Sequence, residues 1–151
     1  MTSRPSSRPQ APARDCFAHF SAIGTRWMDN DAYGHINNVV YYSLFDTAVN
    51  RYLVQAGALD ILHGSVIGLV VETHCNYFAP LAFPQLLEAG LRVTHVGASS
   101  VRYEVGIFAA GAPLAAAAGH FIHVYVERES RRPAPLPAAL RAALSVLQTT
   151  P

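Results

Sequence analysis

The sequence predicts an α+β domain in which one antiparallel sheet wraps a single long helix. Three observations carry this. Late segments alternate apolar and polar residues with a period of two, as antiparallel strands with one buried face do. One early segment, Asn38–Gln55, has helical periodicity and a wide apolar face. The order is strand, long helix, four strands, and a greasy helix beside a sheet must bury its apolar stripe against it.

The elements follow in order. Residues 1–14 are basic, rich in Ser and Pro, and free of acids. Pro5, Pro9 and Pro12 oppose a helix, so a disordered arm is expected, followed by one domain over residues 15–148. The arm's composition also suits a transit peptide, but it has no apolar stretch of the secretory kind. Residues 16–27 read as a first strand and Met28–His35 as a loop.

The helix is expected from Asn38 to Gln55, with Asn37 or Asn38 as N-cap and Gly57 ending it in the left-handed conformation. Ser43, Asp46, Thr47, Asn50, Arg51 and Gln55 form a polar stripe. The rest is apolar, which predicts a deeply buried helix.

Strands are then expected at residues 67–78, 86–95, 99–109 and 114–127. In the second of these, Leu87, Ala89, Leu91 and Val93 face one side. In the third, Val101, Tyr103, Val105 and Ile107 oppose Ser100, Arg102 and Glu104. Pro137 opens a short terminal helix at a tolerated first-turn position.

Composition narrows the function. At 151 residues a single domain can bury a core without staples. Hydrophobic residues make up 51% and charged residues 14%, which predicts apolar surface buried against another subunit. A net charge of +1 provides no strong field for nucleic acid or membrane. No apolar run reaches the roughly 18 residues that span a bilayer. Cys16 and Cys75 form no motif and fit a reducing, cytoplasmic compartment. The seven His residues show no zinc-ligand spacing, and His120 and His123 point to opposite strand faces, so no metal is expected. No Gly-x-Ser-x-Gly nucleophile elbow and no phosphate loop is present.

The chemistry concentrates in Arg26–Tyr42, with Asp29-Asn30-Asp31, Gly34-His35 and Asn37-Asn38. This run resembles the acidic-loop-to-helix signature of the 4-hydroxybenzoyl-CoA thioesterase family of the hot-dog superfamily. Asn76-Tyr77-Phe78-Ala79-Pro80 and Gly97-Ala98-Ser99-Ser100 extend the resemblance downstream. It implies a hot-dog fold and cofactor-free hydrolysis of an acyl-CoA or acyl-carrier thioester. It also implies a homodimer or dimer of dimers with the active site between subunits. Asp31 takes the place of the catalytic carboxylate, and a backbone N–H near Asn38 that of the oxyanion site.

The residues agree on physical grounds. A carboxylate just ahead of a helix N-terminus supplies the base or nucleophile, and unpaired N–H groups at the positive end of the helix dipole receive developing negative charge. Asp31 also suits an ordinary turn, and Asp29 reads as structural. His35 either orients the carboxylate or packs in the loop. Tyr33 is expected to narrow the acyl pocket. Glu72 reads as a second acidic residue or as a solvent-facing strand residue. Ser99, Ser100 and Arg102 are candidates for the CoA arm, and Arg128, Arg131 and Arg132 for its phosphates, against a reading as ordinary exposed residues. Two competing functions stand beside hydrolysis. One is a hot-dog acyl-CoA hydratase or dehydratase, whose Asp-x-Asn-Pro this chain lacks. The other is a non-catalytic acyl-CoA-binding module.

Overall fold

The computed structural model describes residues 7–148. The chain forms β1 (His19–Ile23), α1 (Val40–Gln55), β2 (Val66–Tyr77), β3 (Leu87–Val96), β4 (Ser100–Ala109), β5 (Ala117–Glu127) and α2 (Ala138–Leu147). The strands make a five-stranded antiparallel sheet in the order β1-β3-β4-β5-β2. This is the expected hot-dog arrangement, a helix packed against one antiparallel sheet.

The alternation in the sequence decides which face the helices cover. Leu87, Ala89, Leu91 and Val93 of β3, with Val101, Tyr103, Val105 and Ile107 of β4, are buried with Leu44, Phe45, Val49 and Leu53 of α1. Each Val, Leu, Ile or Phe among them contributes about 1.5–3 kcal/mol on leaving water. Leu140, Leu144 and Leu147 of α2 join the same core, so α1 shares this face with a second helix. The Tyr52 hydroxyl donates to the Ala143 carbonyl at 2.7 Å and ties the two helices together.

α1 differs from its expected form in two ways. It begins at Val40, because Asn37 caps the preceding turn and accepts the Val39 N–H through Oδ1 at 3.2 Å. It is also not buried all round, since Ser43, Asp46, Thr47 and Gln55 are exposed along the polar stripe. Its end is as expected: Gly57 is left-handed, with φ +71°.

The opposite face of the sheet carries a smaller cluster around Phe17 and Phe108. Gly90 and Gly106 face each other across β3 and β4, and a Cβ on either would run into the Phe17 ring at 2.7 Å or less. The glycine pair is therefore the slot that seats this ring. Residues 1–6 of the expected arm lie outside the described residues. Pro12–Arg14 run against the β4–β5 connection: the Pro12 carbonyl accepts the Ala115 N–H at 2.9 Å, and Arg14 pairs with Glu88 at 2.6 Å. The expected first and last strands are trimmed to residues that have a partner, since β1 pairs only along Leu87–Leu91 of β3.

β2 is an edge strand with an exposed apolar row, Leu69, Val70 and Val71, the last 60% exposed. Among the described residues, no helix is long and apolar enough to cross a membrane.

Candidate active site

The loop before α1 is built on Asp29, not Asp31. Asp29 is 2% exposed and closes a short 3-10 turn, Trp27–Asp29. Its carboxylate accepts the Arg26 N–H at 2.7 Å and Arg26 Nε at 3.0 Å. Both oxygens are thus committed to structure. The Asp29 carbonyl accepts the Asn37 N–H at 2.8 Å, and the Leu81 carbonyl accepts the Ile36 N–H at 2.7 Å. Asn30 Oδ1 accepts the Phe83 N–H at 2.9 Å. The loop is therefore anchored at both ends.

Between these anchors the chain makes a tight turn from Asp31 to His35. The Asp31 N–H donates to the His35 carbonyl at 2.8 Å, and Asp31 Oδ1 accepts the Tyr33 N–H at 2.8 Å. Gly34 takes φ +80°, a conformation that suits glycine. The turn leaves Asp31 Oδ2 without a partner among the described residues. The Asn38 N–H is likewise without a partner among them, while the Asn38 carbonyl accepts the Tyr77 hydroxyl at 2.9 Å.

Asp31, His35 and Asn38 line one cavity of about 510 Å3 together with Asn37, Tyr41 and Tyr77. The Tyr41 and Tyr77 rings meet edge to face at 5.1 Å. Burial pushes the Tyr41 phenol up to about 12 and raises that of Tyr77, so both stay neutral, and the Tyr77 hydroxyl is the one that donates, to the Asn38 carbonyl. Burial also pushes the Cys75 thiol up to about 11, which leaves it a poor nucleophile. Asp31 is therefore the carboxylate in this cavity with an oxygen to spare.

The sequence named neither Tyr41 nor Tyr77 as a site residue, although Tyr77 stands in the Asn76–Pro80 run that extends the resemblance. Their signal was weak: Tyr77 ends the alternation of β2 just before Pro80. Of the other candidates, Tyr33 is 88% exposed and turned out of the cavity, so within one chain it does not narrow it. Glu72 pairs with His120 Nε2 at 2.7 Å, and Arg102 lies 3.5 Å from Glu104. Both line or flank the opposite face of the sheet. Ser99 and Ser100 sit at the β3–β4 turn, where the Ser99 carbonyl accepts the Tyr125 N–H at 2.7 Å. Arg128 is used structurally, donating to the carbonyls of Gly64 at 2.6 Å and Ile61 at 2.8 Å. Within one chain none of these residues reaches the Asp31 cavity. Among the described residues, no three His, Cys, Asp or Glu side chains gather as a metal site.

A family model described as the thioesterase-like superfamily matches residues 25–144. The chain belongs to the thioesterase-like superfamily. The match spans the Asp31 loop, α1 and all of β2–β5, so the cavity lies inside the superfamily's own segment. Among solved structures the chain is similar to the PA5185 protein from Pseudomonas aeruginosa strain PAO1. Identity is 57%, the match covers 93% of this chain and 99% of that one, and the TM-score is 0.91. It is also similar to the PA2801 protein of Pseudomonas aeruginosa, a putative thioesterase: 26% identity, 85% and 98% coverage, TM-score 0.76. A 1,4-dihydroxy-2-naphthoyl-CoA thioesterase from Synechocystis shares the fold at 21% identity, 83% and 94% coverage and TM-score 0.74. No curated protein matches the sequence. Membership in this superfamily supports thioester hydrolysis as the general class of activity.

Proposed function

We propose that this member of the thioesterase-like superfamily hydrolyses acyl-CoA thioesters, without a cofactor and in the cytoplasm, in the manner of the 4-hydroxybenzoyl-CoA thioesterases its loop resembles. One observation supports this above the others. Asp31 and Asn38 line the same cavity at the start of α1, and among the described residues Asp31 Oδ2 and the Asn38 N–H have no partner. A carboxylate oxygen and an oxyanion donor are the two groups that thioester hydrolysis requires.

The reaction follows from them. Asp31 takes a proton from water as water attacks the carbonyl carbon, or attacks that carbon itself. The carbonyl oxygen becomes an oxyanion at the Asn38 N–H, where the helix dipole adds favourable charge. Collapse breaks the carbon–sulfur bond. In the first route the departing thiolate recovers the proton held by Asp31 and leaves as free thiol; in the second it takes a proton from solvent, and water then cleaves the acyl–Asp31 anhydride to the free acid and restores the carboxylate. His35 lines the same cavity and is placed to orient the carboxylate or the thioester.

The assay is release of free thiol across aromatic and aliphatic acyl-CoAs. Turnover of at least one class is expected. Hydration of an enoyl-CoA without thiol release, or tight binding without turnover, would replace this reading.

The exposed apolar row of β2 calls for a partner, because an unpaired edge strand of this kind pairs with another chain unless protected. Two copies joined along β2 would extend the sheet and cover Leu69, Val70 and Val71. Sizing with light scattering is expected to give a dimer or a tetramer; a monomer at micromolar concentration would refute this.

A further inference from the structure

The start of α1 has a single backbone donor to offer an oxyanion. The Asn37 N–H goes to the Asp29 carbonyl at 2.8 Å and the Val39 N–H to Asn37 Oδ1 at 3.2 Å. The Val40 N–H goes to the Asn37 carbonyl at 2.9 Å and the Tyr41 N–H to the Asn38 carbonyl at 3.4 Å. Of these neighbours only the Asn38 N–H is left without a partner among the described residues. A carbonyl oxygen that turns into an oxyanion has more than one lone pair to satisfy. A second donor is called for, and no other backbone group of this turn supplies it.

The side chains of the same cavity differ in how they could supply it. His35 and Asn38 are exposed, Asn37 is half-buried, and the Tyr77 hydroxyl is spent on the Asn38 carbonyl at 2.9 Å. Tyr41 is 3% exposed, and its hydroxyl has no hydrogen-bond partner among the described residues. The oxygen is nonetheless not sealed in. Among the described residues, the side-chain polar atoms both sealed and unpaired are Arg92 Nε and His123 Nε2. The latter ends a buried chain of hydroxyls, Tyr103–Tyr125–His123, with steps of 2.7 and 3.4 Å. The Tyr41 oxygen is not one of these, so it is open to the cavity that Tyr41 lines.

Helix geometry carries this hydroxyl toward the reacting end. Side chains on an α-helix lean toward its N-terminus, so the Tyr41 phenol lies over the turn that begins at Asn38. Its ring packs edge to face on Tyr77 at 5.1 Å, and Tyr77 is the side chain bonded to Asn38. A donor fixed by packing and shielded from water acts more strongly on a developing charge than an exposed one does. With its phenol pushed up to about 12, Tyr41 keeps its proton in the presence of a thiolate, since an ordinary thiol ionises at about 8–9. The hydroxyl therefore suits a hydrogen bond to the carbonyl oxygen, not protonation of the departing sulfur.

We infer that the Tyr41 hydroxyl is a second oxyanion donor of this site, acting with the Asn38 N–H on the thioester carbonyl oxygen as it becomes negative. This rests on the thioesterase reading and makes Tyr41 a catalytic residue beside Asp31. The test is Tyr41→Phe, which keeps the ring and its packing and removes only the oxygen. Thiol release from an acyl-CoA that the native protein cleaves is measured beside thermal unfolding, with Asp31→Asn assayed in parallel. kcat is expected to fall by roughly a hundredfold, the usual cost of one oxyanion donor. KM and Tm should stay close to native, because the bond strengthens only as charge develops on the oxygen. A raised KM at native kcat would make the hydroxyl a contact to the bound substrate. A fall in kcat that comes with a lowered Tm would make it a packing contact. Either result, or native kinetics in Tyr41→Phe while Asp31→Asn is inactive, overturns the inference and leaves the thioesterase reading intact. Absence of thiol release from every acyl-CoA by the native protein overturns both.

Discussion

Asp31→Asn is expected to lower kcat/KM for thioester hydrolysis by two or more orders of magnitude with little change in stability. Asn keeps an oxygen at the position of Oδ1, so the bond from the Tyr33 N–H at 2.8 Å, and with it the turn, can survive. What disappears is the negative charge and the basicity of the open oxygen. Loss of an acid–base group typically costs about 10²- to 10⁴-fold, roughly 3–5 kcal/mol in the barrier. Asp31→Ala should lose as much activity and in addition remove the turn's acceptor, at about 1 kcal/mol of stability. Asn is therefore the cleaner substitution. Thiol-release kinetics beside thermal unfolding check both halves. An Asp31→Asn protein with native kcat/KM would remove Asp31 from the chemistry.

Asp29 and Asp31, two residues apart, differ in how their carboxylates are used. Asp29 spends both oxygens on Arg26 inside a 3-10 turn. Asp31 spends one on a turn and keeps one. From sequence, Asp29 read as structural and Asp31 as reactive on the strength of the surrounding motif. The hydrogen bonds fit Asp29 as structural, and they leave Asp31 the free oxygen that the proposed reaction would use.

What was legible in the sequence were features set by near neighbours. The buried rows of β3 and β4 follow from alternation, and Gly57 closes α1 because its position needs a left-handed residue. The gathering of Asp31, His35 and Asn38 in one cavity was legible for the same reason, since one loop carries all three. Features set by distant residues were not. The ends of β1 depend on where β3 offers partners. The Tyr103–Tyr125–His123 chain needs β4 and β5 to be in register. The polar stripe of α1 was visible, but its exposure depends on which side the sheet and α2 occupy. Glu72 and Arg102 could be placed on strand faces, yet their partners His120 and Glu104 come from sheet pairing and side-chain reach.

The second large effect is expected at Gly119, remote from the chemistry. Gly119 pairs with Cys75 where β5 meets β2. A Cβ at this position would press into the His74 carbonyl oxygen and lie 2.7 Å from the His74 carbonyl carbon and 2.9 Å from Cys75 Cα. These are backbone atoms of a paired strand, so no side-chain rotation relieves the clash. Gly119→Ala must push β2 away from β5, at about 3 kcal/mol or more, which for a domain of this size lowers Tm by roughly 10 °C. Gly24→Ala is the matched control, because a Cβ there meets nothing within 4 Å; its expected effect is within about 0.5 kcal/mol. A Gly119→Ala Tm within about 2 °C of the native value would show that the sheet yields at this point. Activity should fall along with stability in Gly119→Ala, since β2 carries Tyr77, whose hydroxyl holds the Asn38 carbonyl at 2.9 Å. Asp31→Asn removes the reacting group from an intact scaffold, whereas Gly119→Ala loosens the scaffold around an intact reacting group. Lower Tm with a native kcat/KM at low temperature would mean that the start of α1 is positioned by the Asp29 turn alone.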